Sequence, residues 1–296
     1  MKKILFLILT SLLAYSCFSQ EIDSNQVMVS MIENSLKYET GTIELPEGNA
    51  TMNIPKGFRF LNKEQSMYVL TELWGNPPDS SVMGMLVLEK GGIFDSWVFT
   101  VSYDPMGYVK DDDAQDIDYD ELLKEQQKDF QDENPERIQQ GYQPIEFIGW
   151  AEKPYYDTDK KILHWAKELR FGDDSVNTLN YNLRILGRKG VFMLNAIATI
   201  QDLNDVNANL NTVLESVTFK EGSTYADFNP EIDDVAAWTI GGLVAGKILA
   251  KVGFFAVLLK FWKIIGIAII GGASAFWKFI KGRKKDEHDS PRMHPK

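Results

Sequence analysis

Residues 178–199 constrain the fold more than any other stretch. In TLNYNLRIL, Leu179, Tyr181, Leu183 and Ile185 alternate with Thr178, Asn180, Asn182 and Arg184. A period of two puts the apolar set on one sheet face and the polar set on the other. GRKG (187–190) supplies a tight turn. Val191–Ala198 then runs almost continuously apolar, as expected of a central strand covered on both faces.

The flanking segments supply the rest of a sheet. TIEL (42–45) and ATMNI (50–54) read as short strands around the turn PEGN. Asn62 with Gln65 resembles a capping box, and Tyr68, Val69 and Leu73 continue it as a helix that GNPPDS (75–80) stops. Val82–Leu88 and Ser96–Tyr103 read as a strand pair. Asp118 and Glu121 open a second helix with an inward stripe of Tyr119, Leu122, Leu123, Gln126 and Phe130. Asn134-Pro135 is expected to end or break it. Strands are expected at 145–151, 161–171, 178–186 and 190–199, with GWAEKPYYD (149–157) containing a packed turn. A last helix, 203–217, carries Leu203, Val206, Leu210, Val213, Leu214 and Val217 on one face. Hairpin-length links between most strands indicate an α+β fold, a mostly antiparallel sheet with helices packed on it. No repeat of 20–50 residues is present, which excludes solenoids and propellers.

Charge divides the chain. The net charge of −11 over 296 residues resolves into +2 for residues 1–20, −21 for 21–235 and +8 for 236–296. Two lysines, an apolar run from Ile4 to Tyr15 and then small residues form a secretory signal peptide, 1–19, with cleavage after Ser19. Lipidation at Cys17 and an uncleaved anchor are the alternatives. Cleavage after Ser19 removes the lone cysteine, and with it disulfides and thiolate chemistry. The exported domain is then 20–222 and 223–235 its linker. Residues 236–280 form a membrane anchor and 281–296 a basic polar tail. Glycines at 241, 242, 246, 253, 266, 271 and 272 suit membrane helices, although Lys247, Lys251, Lys260 and Lys263 interrupt the apolar runs. KGRKK (281–285) favours a cytoplasmic C-terminus.

The blocks GTIELPEGNATMNIPKGFRFL, TELWGNPP, GYVKDDDA, GWAEKPYYD, LHWAKEL, NTLNYNLRILGRKGV and TYADFNPEIDDVAA resemble one bacterial family of uncharacterised, membrane-anchored proteins. The resemblance runs from about Tyr38 into the C-terminal apolar stretch. It implies a membrane location and no mechanism. The order of strands and helices is also similar to the PsbP-type α/β/α sandwich of small exported accessory proteins.

Chemistry is sparsely signposted. Of three histidines only His164 lies in the body, beside Trp165, which excludes a multi-histidine zinc site. No G-x-S-x-G or phosphate loop is present. Asp116, Asp118 and Asp120 fit the opening of an EF-hand, but Glu121 replaces its glycine and Gln127 its final glutamate. Asp111, Asp112 and Asp113 form a candidate calcium or magnesium site; otherwise no cofactor is expected. The acidic body argues against nucleic acid. Asn180, Asn182 and Arg184, with Arg188 and Lys189 beyond, form a basic hydrogen-bonding patch suited to a carboxylate, a phosphate or a partner loop. With His164 and Trp165 they make the candidate binding set. The expectation is a non-enzymatic, membrane-tethered module that binds a protein or envelope component. The alternatives are an Asp/Glu-dependent hydrolase of envelope glycan or peptide, and a membrane-active role for the glycine-rich C-terminal region.

Overall fold

A computed structural model describes residues 24–94 and 96–246. The leader (1–19), most of the expected anchor (247–280) and the tail (281–296) lie outside the described residues. In chain order the main elements begin with helix α1 (Ser24–Ser35), strands β1 (Thr42–Leu45), β2 (Ala50–Asn53) and β3 (Phe58–Asn62), and helix α2 (Lys63–Tyr68), which continues as a π-helical turn to Leu73. Strands β4 (Val82–Leu88), β5 (Val98–Asp104) and β6 (Tyr108–Lys110) precede helix α3 (Tyr119–Gln139). Then come β7 (Ile145–Asp157), β8 (Ile162–Phe171), β9 (Thr178–Leu186) and β10 (Val191–Thr199). Helix α4 (Leu203–Ser216), β11 (Val217–Phe219), β12 (Val235–Thr239) and helix α5 (Ile240–Ala245) complete the order.

The alternating stretch and the apolar stretch pair as expected, Leu186 opposite Val191. They sit inside a seven-stranded antiparallel sheet of order β3-β4-β5-β10-β9-β8-β7. The fold is α+β, with one parallel exception in the two-stranded ladder β12-β6. One face of the large sheet buries Phe99, Val101, Leu183, Phe192 and Leu194. Val206 and Val213 of α4 cover it, together with Leu45 and Met52 of the small sheet β1-β2-β11. Among the described residues the opposite face carries three apolar clusters; one of them joins Ile145, Phe147 and Leu169 beneath Leu123 and Phe130 of α3. Leu36, Val69 and Leu70 pack over β3, β4 and β5. Leu122 of α3 and Ile240, Leu243 and Val244 of α5 pack over Leu163, Trp165, Leu186 and Val191.

Four segments depart from expectation. Helix α3 continues through Pro135 to Gln139. Proline removes one helical N–H bond on an exposed face, and Asn134 holds the helix in place from its other side. The Asn134 amide accepts from the Ile145 N–H at 2.8 Å and donates to its carbonyl at 2.9 Å. GWAEKPYYD is strand, not turn. Strand β7 is the sheet edge, where proline is tolerated, and three register shifts absorb its irregularity. The stretch 223–235, read as a linker, is part of the packed body. Tyr225 is buried, stacks on Tyr108 and donates to the Val109 carbonyl at 2.9 Å. Asp233 accepts from Arg188 Nε at 2.7 Å. The start of the expected anchor belongs to the body as well, because β12 pairs with β6 and α5 joins the core. Among the described residues no helix is long and apolar enough to cross a membrane.

Gly190 closes the central hairpin. Its carbonyl accepts from the Gly187 N–H at 2.9 Å. A β-carbon there would fall on the Asp104 carbonyl oxygen and the Tyr103 ring, both part of β5. Gly149 has open space around it. Gly190→Ala is therefore expected to lower stability by about 1–3 kcal/mol through overpacking. Gly149→Ala should change it by less than about 0.5 kcal/mol. Urea unfolding midpoints of the two variants check this.

Candidate functional site

Strand register assembles a polar band on the face that bears these separate clusters. Thr100 of β5 lies opposite Asn195 of β10, which lies opposite Asn182 of β9, which lies opposite Trp165 of β8. Arg184 lies opposite Leu163 and Met193 in the adjoining row. On the other side Lys167 lies opposite Asn180, and Asn180 opposite Ile197. Thr100, Ser102 and Asn182 are buried. Polar groups in such positions need partners.

Arg184 is held by its own neighbours. Its Nη1 donates to the Leu183 carbonyl at 2.9 Å and to Asn195 Oδ1 at 2.8 Å. Its Nη2 donates to Asn182 Oδ1 at 3.2 Å. The Asn182 amide in turn donates to Asn180 Oδ1 at 2.8 Å. The guanidinium carbon lies 4.9 Å from the centre of the Trp165 ring. Burial lowers the Arg184 guanidinium to about 10, so it stays charged at neutral pH. Lys167 Nζ donates to Gln126 Oε1 of α3 at 2.6 Å and lies 5.3 Å from the Phe147 ring centre. Burial is also the main cause that pushes Lys167 down to about 8, with the nearby Arg184 charge acting in the same direction and Glu133 opposing both. Among the described residues neither cation forms an ion pair with a carboxylate.

The candidate binding set is therefore divided by the fold. Asn180, Asn182, Arg184 and Trp165 meet in the band. Arg188 lies in the hairpin turn, where it binds Asp233 and, at 3.0 Å, the Gly222 carbonyl. His164 is on the opposite face. Its Nδ1 lies 3.1 Å from the Tyr181 hydroxyl oxygen, and Tyr155 meets its ring edge-on. Burial lowers its pKa, despite Glu152 and Asp157, so it is neutral at pH 7. Lys167, Gln126 and Asn195 complete the band and were not singled out from sequence. Their signals were present: Lys167 shares the period-two face of Trp165, Gln126 is the polar member of an inward helical stripe, and Asn195 interrupts an apolar strand.

The expected metal ligands do not converge. Asp111 accepts from Tyr156 and from Lys161, each at 2.8 Å. Burial opposes its ionisation, but those two hydrogen bonds hold its pKa below the usual carboxylate range. Asp113 instead accepts from the Ile240 and Gly241 N–H groups at 3.2 and 3.3 Å. Among the described residues no group of three His, Cys, Asp or Glu is arranged to hold a metal ion. The acidic run ties β8, β7 and α5 together.

A family model described as "Protein of unknown function (DUF2167)" matches residues 37–274. The chain belongs to that family. The match covers the whole band and extends into the apolar C-terminal stretch. No match was found among proteins of curated function. Among solved structures, the chain is similar to the solution structure of cyanobacterial PsbP from Synechocystis. The two share 9% identity over 60% of this chain and 91% of that one, with a TM-score of 0.37.

Lys167 gives the band a pH signature. The folded state releases this proton near pH 8, and an unfolded lysine releases it near 10.5. The unfolded state thus binds more protons between those values, and stability rises with pH there. From pH 7 to 9.5 the wild type should gain about 2 kcal/mol relative to Lys167→Met. Denaturant titrations of both proteins across this range test the expectation.

Proposed function

We propose that this chain is a non-enzymatic binding module of the cell envelope, exported by its N-terminal leader and tethered to a membrane through the stretch beyond Gly246. The polar band carries this reading. Among the described residues, Arg184 and Lys167 lie on one sheet face without an ion-paired carboxylate, in a body of net charge −21. Buried cations are costly when unpaired, so such an arrangement suits a partner that brings negative charge. Three of the carboxylates lining surface clefts are engaged by neighbouring groups. Glu146 pairs with Arg170, Asp202 caps Thr199, and Arg188 is the chief cause that holds Asp233 low. This arrangement favours binding over acid-base hydrolysis, which needs a carboxyl with a raised pKa in a cleft; burial raises Asp104, which lines none of these clefts.

The tether is supported by the apolar, glycine-rich sequence from 247 to 280, of which the family region includes the part up to 274. The full chain should float with phospholipid vesicles in a density gradient. A chain ended after Gly246, which keeps β12 and α5, should stay at the bottom. Equal flotation of the two overturns the tether.

A photo-crosslinking residue at Asn180 tests the band in native membranes. It should capture a species that the same residue at Tyr155, on the opposite face, does not. Arg184→Gln should abolish that capture. The same products from both positions, insensitive to Arg184→Gln, would overturn the assignment of the binding surface.

A further inference from the structure

Two buried donors in the polar band have no acceptor. Gln126 is 2% exposed, and its Nε2 makes no hydrogen bond. Its orientation is fixed, because Lys167 Nζ requires the oxygen end of the amide. Trp165 is also 2% exposed, and its Nε1 is likewise without a partner. A buried donor left unpaired costs as much as the hydrogen bond it lacks. Gln126 contacts Lys167 through its oxygen, and the Trp165 ring lies beside the Arg184 guanidinium. Lys167 spends one of its three N–H groups on Gln126. Arg184 spends three of its five on Leu183, Asn182 and Asn195. Among the described residues, two donors therefore remain on Lys167, two on Arg184, two on Gln126 and one on Trp165. No carboxylate forms an ion pair there.

We infer that Lys167, Arg184, Gln126 and Trp165 form a binding site for a phosphoryl oxyanion. This rests on the reading of the band as a binding surface and names the chemistry that the band takes. The number of donors selects the class. A carboxylate offers about four lone-pair directions, fewer than the donors present, whereas the three terminal oxygens of a phosphate monoester offer more. The donors come from a helix and two adjacent strands, so they do not share the plane of a carboxylate. Asn180, Asn182 and Asn195 are positioning residues, because their side chains make a network that ends on the Arg184 guanidinium. The lowered pKa of Lys167 fits a cation awaiting an anionic partner. Free phosphate and the phosphate of an anionic lipid share this chemistry, and the test separates them.

The full chain in detergent, labelled with nitrogen-15 at its seven indoles, gives one resonance per tryptophan. Trp165→Phe assigns the relevant one. Inorganic phosphate should shift the Trp165 indole resonance saturably, beyond any effect of chloride at matched ionic strength and more strongly than acetate. Lys167→Met, with the remaining indole spectrum unchanged as proof of folding, should weaken that response about tenfold or more. Lys167→Arg should retain part of it. If free phosphate is silent but vesicles containing phosphatidate shift the resonance, and phosphatidylcholine vesicles do not, the site stands and its source is lipid. No Trp165 shift with either probe, an equal response to acetate, or a response indifferent to Lys167→Met overturns the proposal. Arg184-dependent crosslinking from Asn180 that persists after such a failure would discard the phosphoryl ligand and keep the binding module.

Discussion

The two-sided pairing of β10 is the constraint on which the rest of the body depends. It bonds to β9 along its whole length and to β5 over residues 191–197. Its side chains then have no freedom to choose a face. Phe192, Leu194 and Ala196 enter the core beneath α4 and the small sheet, while Met193, Asn195 and Ile197 go to the other side. A slip of one residue would exchange the two sets and bury Asn195 against α4. The tight turn at Gly190 and the edge bonds on both sides prevent that. The position of Asn195 in the polar band follows from the same register that builds the core.

That register also explains why one sheet face carries separate apolar clusters rather than one. The band of Thr100, Asn195, Asn182, Arg184 and Lys167 crosses the sheet between them. Replacing such a band with apolar groups of similar size would be neutral or favourable for stability alone. Keeping it costs desolvation, which the shifted Lys167 pKa registers directly.

Much of this was legible in sequence, for identifiable reasons. The β9–β10 hairpin, the helix opening at Asp118 and the amphipathic α4 have strong local signals, and their boundaries moved by only a residue or two. Asn180, Asn182 and Arg184 fell on one face because period two is a property of the backbone. What local signals lacked was depth. Alternation gives the face of a side chain but not the layer above it, so an exposed patch was expected where Asn182 is buried. Lys167 was hidden in LHWAKEL, whose mixed composition does not announce a site. Pro135 and Pro154 signalled breaks that tertiary context overrode: one sits in a helix pinned by Asn134, the other in an edge strand. The acidic run 111–113 looked like a cation site because its acceptors are adjacent in sequence. In space, Lys161, Tyr156 and the α5 backbone claim two of them.

The wrapped segment from Tyr225 to Ala245 has a mechanical consequence. Tension entering the body from beyond Gly246 must pass through α5 and then β12 before it reaches any strand of the seven-stranded sheet. Helix α5 is a six-residue turn seated on the Asp113 carboxylate, and β12 belongs to a two-stranded ladder. A pull on the C-terminal side that displaced α5 would shift the aromatic stack of Tyr108, Tyr225 and Phe228 and uncover Trp165, which shares its apolar cluster with Ile240, Leu243 and Val244.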